Sequence, residues 1–218
     1  MSGIIIQGFL ISGLYALVAV GFTLIFSVGR VLNLAYGVYI MLGGYAYYTL
    51  SQMLELSKVI SLLGAIVVGI LFGVITYFGI VKRLLSNPIA VEISTLILAV
   101  VMQSVIILIY SPSPRAIWPI IAGITRVHEV TISWNIFFAM ITSWAVLGAL
   151  LLFVRKTQVG RAILAVSMDS KGALLSGIDP ERINILTWAL SGALGALAGV
   201  FFATYTQLDP TMWVSPLI

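Results

Sequence analysis

Long apolar runs separated by short polar segments make up most of this 218-residue chain. A transmembrane helix needs about 20 mainly apolar residues. Six runs have that length, each bounded by charged or helix-breaking residues: 3–28, 34–54, 59–81, 91–110, 134–154 and 183–206. Because lipid offers no partner to a free backbone N–H or C=O group, each run is predicted to be a helix. The pattern therefore predicts an all-α, polytopic transmembrane bundle of about six spans, with residues 1–218 forming one domain.

Two stretches depart from this alternation. The apolar segment 115–125 is too short to span a bilayer and is interrupted by Pro119, so we expect an interfacial or re-entrant piece of a loop. The connection SVGRVLN (27–33) between the first two runs is itself mostly apolar. It leaves two alternatives open, which are a tight turn at the membrane surface and a break within a longer membrane path.

Composition agrees with a membrane protein and argues against several kinds of chemistry. Charged residues make up only 8% of the chain, whereas soluble domains are roughly a quarter charged. There is no cysteine, and the single histidine, His128, lies beside Glu129 in a predicted loop, where we expect it to be solvated. No metalloprotease, nucleophile-elbow or Walker A sequence is present. We therefore expect a protein that is not an enzyme, with no metal, no cofactor and no nucleic-acid partner.

The cations predict the orientation of the chain. With the N-terminus outside, eight cations fall on the inner side and three on the outer side, as the positive-inside rule requires. The inner set is Arg30, Lys82, Arg83, Arg155, Lys156, Arg161, Lys171 and Arg182, and the outer set is Lys58, Arg115 and Arg126. The polar loop 155–183 is therefore predicted to be cytoplasmic, and both chain ends to lie outside.

The predicted spans hold almost no ionisable side chains. Glu92 lies near the inner end of the fourth run, where it complements the helix dipole. An ion-coupled transporter would be expected to carry a carboxylate deeper in the membrane, so the energy for transport is expected to come from elsewhere. Neutral polar and small residues form a candidate translocation path: Asn33, Tyr36, Gly37 and Gln103. For Asn33 and Gln103, a hydrogen bond between helices is the alternative.

Small residues recur at every fourth position of the last run: Ser191, Gly195, Gly199 and Ala203. Such a stripe lets a neighbouring helix approach closely. The neighbour is expected within the same chain, with a subunit interface as the alternative.

The cytoplasmic loop is patterned rather than random. Arg161 to Met168 is predicted to form a short helix, and Asp169 to cap a second one that runs from Ser170 to Ser176. Gly177 suits the left-handed position that ends a helix, and Asp179-Pro180-Glu181 begins the last span. Two capped helices make a rigid knob that could dock on a partner, and the alternative is an amphipathic pair lying on the lipid surface.

Three stretches resemble the permeases of branched-chain amino-acid ABC importers, the LivH/BraD-like family. They are GLYALVAVGFTLIFSVGRVLNLAYG (13–37), ISTLILAVVMQSVIILIY (93–110) and VGRAILAVSMDSKGALLSGIDPERI (159–183). In the second stretch, Gln103 matches the family's glutamine. In the third, the resemblance is carried by Gly160, Arg161, Ala162, Asp169, Ala173, Gly177 and Ile178.

The resemblance implies a permease subunit in the plasma membrane of a prokaryote. Its partners would be a second permease, two cytoplasmic ATPases, which the loop 155–183 would couple to transport, and an external solute-binding protein. The alternatives are a stand-alone channel or facilitator, and an ABC permease of the same architecture for urea or short amides.

This chain departs from the family pattern at several positions. The family's histidine is replaced by Tyr36, the acid that often follows by Val38, and an acid pair in the loop by Met168-Asp169. The chain stops at Ile218 where the family usually continues, so a truncated product is expected, with inactivity as a further alternative.

Overall fold

The computed structural model describes residues 2–127 and 130–214 of the chain. Nine α-helices lie within these residues: α1 (Ser2–Gly29), α2 (Tyr36–Tyr48), α3 (Lys58–Thr76), α4 (Lys82–Leu84), α5 (Pro88–Tyr110), α6 (Trp134–Lys156), α7 (Gln158–Met168), α8 (Ser170–Leu175) and α9 (Pro180–Tyr205). Two short π-helical segments extend this helical path. Thr49–Met53 continues α2, and Tyr77–Val81 joins α3 to α4.

Five helical stretches in the described chain are long and apolar enough to cross a membrane. They are Ile6–Gly29, Lys58–Leu84, Pro88–Tyr110, Trp134–Lys156 and Pro180–Tyr205. The predicted all-α transmembrane bundle is therefore confirmed, and these helices correspond to five of the six predicted runs.

Capping side chains explain why two spans begin earlier than their apolar runs. The Asn87 side chain accepts a hydrogen bond from the backbone N–H of Ala90 (3.3 Å), and Asp179 accepts one from Glu181 (2.9 Å). A proline follows each cap at the first helical position, where its missing N–H costs nothing. Because a cap acts on the backbone, it sets the start of a helix whether or not the first turn is apolar.

The second predicted run, 34–54, does not form a full span of its own. It folds as the short helix α2 with its π-helical extension, and α2 begins inside the bundle. The side chains of Tyr36 and Tyr39 lie against Gly195, which is near the middle of α9 rather than at its start. The residues that lead into α2 are buried as well: Val31, Asn33 and Ala35. Of the two alternatives for the first connection, the structure therefore contains the break within the bundle.

Helix α9 lies at the centre of the bundle and α5 at its edge. In their most apolar stretches, 72% of α9 is buried against only 17% of α5. α9 packs against α1, α2 and α3, whereas α5 buries only Val91, Thr95, Ala99 and Ile106. α5 thus leaves most of its apolar surface for lipid or for another chain.

The connection before α6 is tied to three helices at the end of the bundle opposite α7 and α8. The Asn135 side chain accepts a hydrogen bond from the backbone N–H of Ile120 (2.9 Å) and donates one to the hydroxyl of Thr204 (3.0 Å). The Lys58 ammonium donates to the carbonyls of Pro119 and Ile120 (2.7 and 2.8 Å). An antiparallel pair of strands follows, β1 (Ile124–Val127) and β2 (Val130–Ser133). The interfacial position of 115–125 stays a prediction, and His128 and Glu129 lie outside the described residues.

Candidate functional site

The site is built around the break between α1 and α2. Arg30 directly follows α1 and lies in the left-handed backbone region, with a φ angle of +51°, which is uncommon for a residue other than glycine. From there its guanidinium Nη2 donates hydrogen bonds to the carbonyls of Ser167 (3.3 Å) and Met168 (3.0 Å) at the end of α7. The loop 155–183 is thereby joined directly to the start of the break.

In the sequence alone, Arg30 counts only as one of the inner cations. One signal was available, because Arg30 is the only charged residue among the first 54. An isolated cation after a long apolar run marks a position where a charge has a specific partner or reaches a membrane surface.

Three hydrogen bonds that involve buried polar side chains hold the residues of the break. The Asn33 side chain donates to the hydroxyl of Tyr39 (3.0 Å), and its oxygen accepts from the backbone N–H of Ala35 (3.0 Å). The backbone N–H of Leu34 donates to the hydroxyl of Thr95 in α5 (3.1 Å). Since a backbone that leaves a helix inside the membrane must satisfy its own polar groups, these contacts make the break possible.

Tyr36 begins α2 in a fully buried position. Its hydroxyl lies against Gly21 of α1, where a Cβ atom would overlap it, and it has no hydrogen-bond partner among the described residues. Its ring packs edge-on against Phe22 and Tyr39, with ring centroids 5.9 and 5.7 Å apart. Gly21 is therefore needed to make room for the first turn of α2.

Trp213 brings Gly37 and Gln103 together. The Trp213 indole N–H donates to the Gln103 side-chain oxygen (2.8 Å), and the Trp213 carbonyl occupies the space that a Cβ atom on Gly37 would need. Trp213 is not among the residues predicted from the sequence, because nothing in the local pattern after the last apolar run indicates that the chain folds back onto α2. The four candidate path residues thus lie around one break, Asn33 and Tyr36 both contacting Tyr39, Gly37 and Gln103 both contacting Trp213.

Local capping explains the two helices of the loop. Thr157 accepts a hydrogen bond from the backbone N–H of Gly160 (2.9 Å), so α7 begins at Gln158, three residues before the predicted Arg161. Asp169 accepts from the backbone N–H of Lys171 (3.0 Å) and begins α8 at the predicted position. The loop therefore has two separately capped helices, as its pattern predicts.

A pair of crossed hydrogen bonds ends α8. The backbone N–H of Ile178 donates to the carbonyl of Ala173, and that of Gly177 donates to the carbonyl of Leu174. Each donor–acceptor distance is 3.0 Å. Gly177 has a φ angle of +81°, which glycine adopts without steric cost. This Schellman arrangement turns the chain sharply towards α9.

The loop has an anchored face and an exposed one. A small hydrophobic core packs the loop against the ends of α1, α6 and α9. The buried residues of this core are Val28, Ile163, Val166, Ala173 and Ile183, and Ala162 and Ile178 pack against them. Gly160 lies directly against the carbonyl of Phe153 at the end of α6. On the exposed side are Arg161 and the apolar residues Met168, Leu174 and Leu175, of which Leu175 is 90% exposed. The loop is thus a rooted knob with an apolar tip.

The small-residue stripe of α9 faces α1 and α2 of the same chain. The Ser191 hydroxyl donates to the carbonyl of Gly21 (2.6 Å). Gly195 contacts the tyrosines of α2, Gly199 lies against the carbonyl of Ile40, and Ala203 lies beside Gly44.

The polar side chains buried among the described residues are all neutral: Asn33, Ser61, Thr76, Thr95, Asn135, Ser143, Asn184, Thr187 and Ser191. The charged pairs Lys82–Glu181 and Arg182–Asp179 lie near the start of α9, with exposed side chains.

Several known proteins are similar to this chain in sequence. Residues 4–215 match the family described as branched-chain amino acid transport system / permease component. A high-affinity branched-chain amino acid transport system permease protein, BraD of Pseudomonas aeruginosa, is 27% identical over 94% of this chain and 72% of its own. A probable branched-chain amino acid transport permease protein, LivH of Methanocaldococcus jannaschii, is 31% identical over 94% of this chain and 68% of its own. The LivH protein of Escherichia coli is 26% identical over 91% and 69%. No solved structure matches the chain.

Proposed function

This chain belongs to the permease family of branched-chain amino-acid transport systems, and from that premise we propose that it translocates branched-chain or related amino acids as one subunit of an ABC importer. It is a multi-pass integral membrane protein, as its long apolar helices and its relatives agree. The observation that carries the proposal is the rooted knob α7–α8, whose end is joined to the α1–α2 break by Arg30.

The energy for transport enters from partner ATPases in this proposal. The chain has no Walker A sequence, and its described buried polar side chains carry no charge that could relay a proton. The tip of the knob exposes Met168, Leu174 and Leu175 to 79%, 60% and 90%. A compact apolar tip on a rigid mount fits a groove on a partner protein. Two ATPases, one on each permease, would dock there from the cytoplasm.

Arg30 gives a route from the knob to the translocation path. Its guanidinium holds the last carbonyls of α7, while its backbone forms the first residue after α1. A rigid-body shift of the knob would move this residue, and three residues later comes Asn33 in the buried break. Discontinuous helices of this kind are where other transporters bind solute. Asn33, Tyr36, Gly37 and Gln103 would line or gate that path.

Two further partners complete the proposed assembly. A second permease would pack on α5, because α5 has the smallest buried share of the five candidate spans and exposes large apolar side chains such as Ile97 and Leu108. A solute-binding protein would deliver the amino acid at the opposite end of the bundle from the knob. A stand-alone facilitator would need neither protein, and the knob would then have no docking role.

The proposal is tested by copurification of a variant in which the tip of the knob is altered. The tagged full-length chain is extracted from the membranes of its own host in mild detergent, and the copurifying ATPases are quantified. Leu175→Asp should lose most of the ATPases while its level in the membrane stays unchanged, since a charge at the tip opposes apolar docking. Leu54→Asp is the matched control, because Leu54 is also exposed (60%) but lies at the opposite end. A wild-type chain that transports amino acids without any ATPase would overturn the proposal.

A further inference from the structure

Three cations lie where α6 ends and α7 begins, in a cluster that we call the basic corner: Arg155, Lys156 and Arg161. All three side chains are exposed, and none forms an ion pair with a carboxylate of the described chain. No aspartate or glutamate occurs in the sequence between Glu129 and Asp169. The proposed coupling role uses the apolar tip of the knob and the Arg30 contact, so the basic corner has no assigned task.

A tight turn brings the three cations together. The hydroxyl of Thr157, the residue between the two helices, donates to the carbonyl of Phe153 (2.7 Å) and accepts from the backbone N–H of Gly160 (2.9 Å). A Cβ atom on Gly160 would overlap the same carbonyl, so α7 starts directly against the end of α6. Arg161 follows Gly160 and therefore lies close to the other two cations. Like charges in such a cluster repel one another unless an anion lies among them.

The face of α6 that points away from the bundle is apolar until it reaches the basic corner. Trp144 is 52% exposed on this face, and Leu151 and Leu152 are 60% and 61% exposed. Arg155 and Lys156 each follow one of these leucines by four residues, so they lie on the same side of the helix. The two cations thus end a surface that is open to lipid.

The length of α6 places the basic corner at the depth of lipid headgroups. The helix begins at Trp134, which is exposed, and tryptophan is enriched at membrane boundaries. The rise from Trp134 to Arg155 is about 32 Å, close to the ~30 Å thickness of a hydrocarbon core. With Trp134 at one boundary, the cations therefore reach the phosphates of the opposite leaflet.

Most of the other inner cations already have a polar partner or an acid close by. Lys82 and Arg182 form ion pairs with carboxylates at the start of α9, and Arg30 donates to the last carbonyls of α7. Lys171 follows Asp169 by two residues in α8. The excess positive charge of this end of the bundle is therefore concentrated at the basic corner.

We propose that the basic corner binds the headgroup of an anionic phospholipid of the phosphatidylglycerol class. The two guanidinium groups match the oxygens of a phosphate, the lysine adds a point charge, and the acyl chains would lie along the exposed apolar face of α6. A zwitterionic lipid carries its own cation, which cancels the attraction. The acidic surface of a partner protein would satisfy the cations but not the apolar face that continues from them.

A bound lipid would stabilise the root of the knob. It would contact the end of α6 and the first turn of α7 at once, and so hold the angle between them. Lipid binding itself does not depend on the proposed function, whereas any effect on coupling does. The location in the inner leaflet follows from the predicted orientation of the chain.

Hydrogen exchange of the full-length chain in nanodiscs tests the site. The nanodiscs contain phosphatidylcholine with increasing fractions of phosphatidylglycerol of the same acyl chains, without ATP or partner proteins. Exchange over residues 153–163 should slow at least about threefold, in a saturable manner. Phosphatidylethanolamine at the same fractions should give no such protection. Inorganic phosphate added to pure phosphatidylcholine nanodiscs should not protect either, since it has no acyl chains to lie on α6.

Substitutions assign the protection to the basic corner. Arg155→Gln, Lys156→Gln and Arg161→Gln should each raise the fraction of phosphatidylglycerol needed for half-maximal protection about fivefold, and the triple variant should show no protection. Lys171→Gln is the matched control, because it removes an exposed cation from the other helix of the knob, and it should behave as wild type. Salt at about 1 M should weaken the protection of the wild type.

Three results would overturn the proposal. Equal protection by phosphatidylethanolamine would show that the site does not select charge, and protection that survives the triple substitution would place the lipid elsewhere. A triple variant that loses the copurifying ATPases, when phosphatidylglycerol has no effect on the wild type, would assign the basic corner to a partner protein. Because the exchange measurement uses neither ATP nor partners, its outcome is independent of the Leu175→Asp copurification.

Discussion

At the scale of single residues, Gly177 is the position where a local rule and a functional role coincide. Its φ angle of +81° lies in the left-handed region, and its N–H and that of Ile178 close α8. A β-branched side chain at such an angle is strained by roughly 1–2 kcal/mol. The knob would lose the sharp turn that connects it to α9.

Gly177→Val should therefore uncouple transport while the chain still inserts. We expect ATP-driven amino-acid uptake by the complete transporter in proteoliposomes to fall at least severalfold, with the amount of chain in the membrane unchanged. Gly177→Asn is the matched control, since asparagine tolerates the left-handed region better than other side chains, and it should retain most of the uptake. Full uptake by the valine variant would contradict a coupling role for this turn.

At the scale of helices, the crossing of α3 and α9 shows how closely glycine lets two backbones approach. A Cβ atom on Gly192 would overlap the carbonyl of Gly69, and one on Gly69 would overlap the carbonyl of Gly192. Gly73 lies against the carbonyl of Trp188 in the same way. Gly192 lies on another face of α9 and is not part of the predicted stripe through Ser191 and Gly195.

Gly192→Val should force these helices apart and destabilise the bundle by about 1–3 kcal/mol. The measurement is thermal unfolding of the purified chain in detergent, where the midpoint should fall by several degrees. Gly148→Val in α6 is the matched control, because a Cβ atom there meets nothing within 4 Å, and its midpoint should stay close to that of the wild type. Equal shifts for the two variants would show that helix propensity, not the crossing, sets the loss.

At the scale of the whole molecule, the unequal distribution of cations predicts which end of the bundle faces the cytoplasm. The chain has no cysteine, so single introduced cysteines report the side of the membrane without background. Ser113→Cys and Gln158→Cys place exposed thiols at the two ends. In intact cells a membrane-impermeant maleimide should label the first, and should label the second only after permeabilisation. The reverse pattern would show that the knob lies outside and would overturn the coupling role.

The sequence by itself determined the features that depend on residues close together in the chain. The apolar runs predicted five of the helices, and Asp169, Gly177 and Asp179 predicted where the loop helices and α9 begin or end. These predictions were possible because burial in lipid acts on whole segments, and because caps and left-handed turns are set within about four residues.

Only the tertiary structure decided the contacts between distant segments. Three features join residues that no local pattern relates. They are the start of α2 inside the bundle, the hydrogen bonds from Arg30 to the end of α7, and the hydrogen bond from Trp213 to Gln103. The second run looks like the other apolar runs, yet α2 starts beside the middle of α9, where Gly195 and Gly199 leave space for it. The physical reason is that a break inside a membrane bundle is stable only when neighbouring helices satisfy its exposed backbone and fill its sides, and those neighbours are brought together by folding.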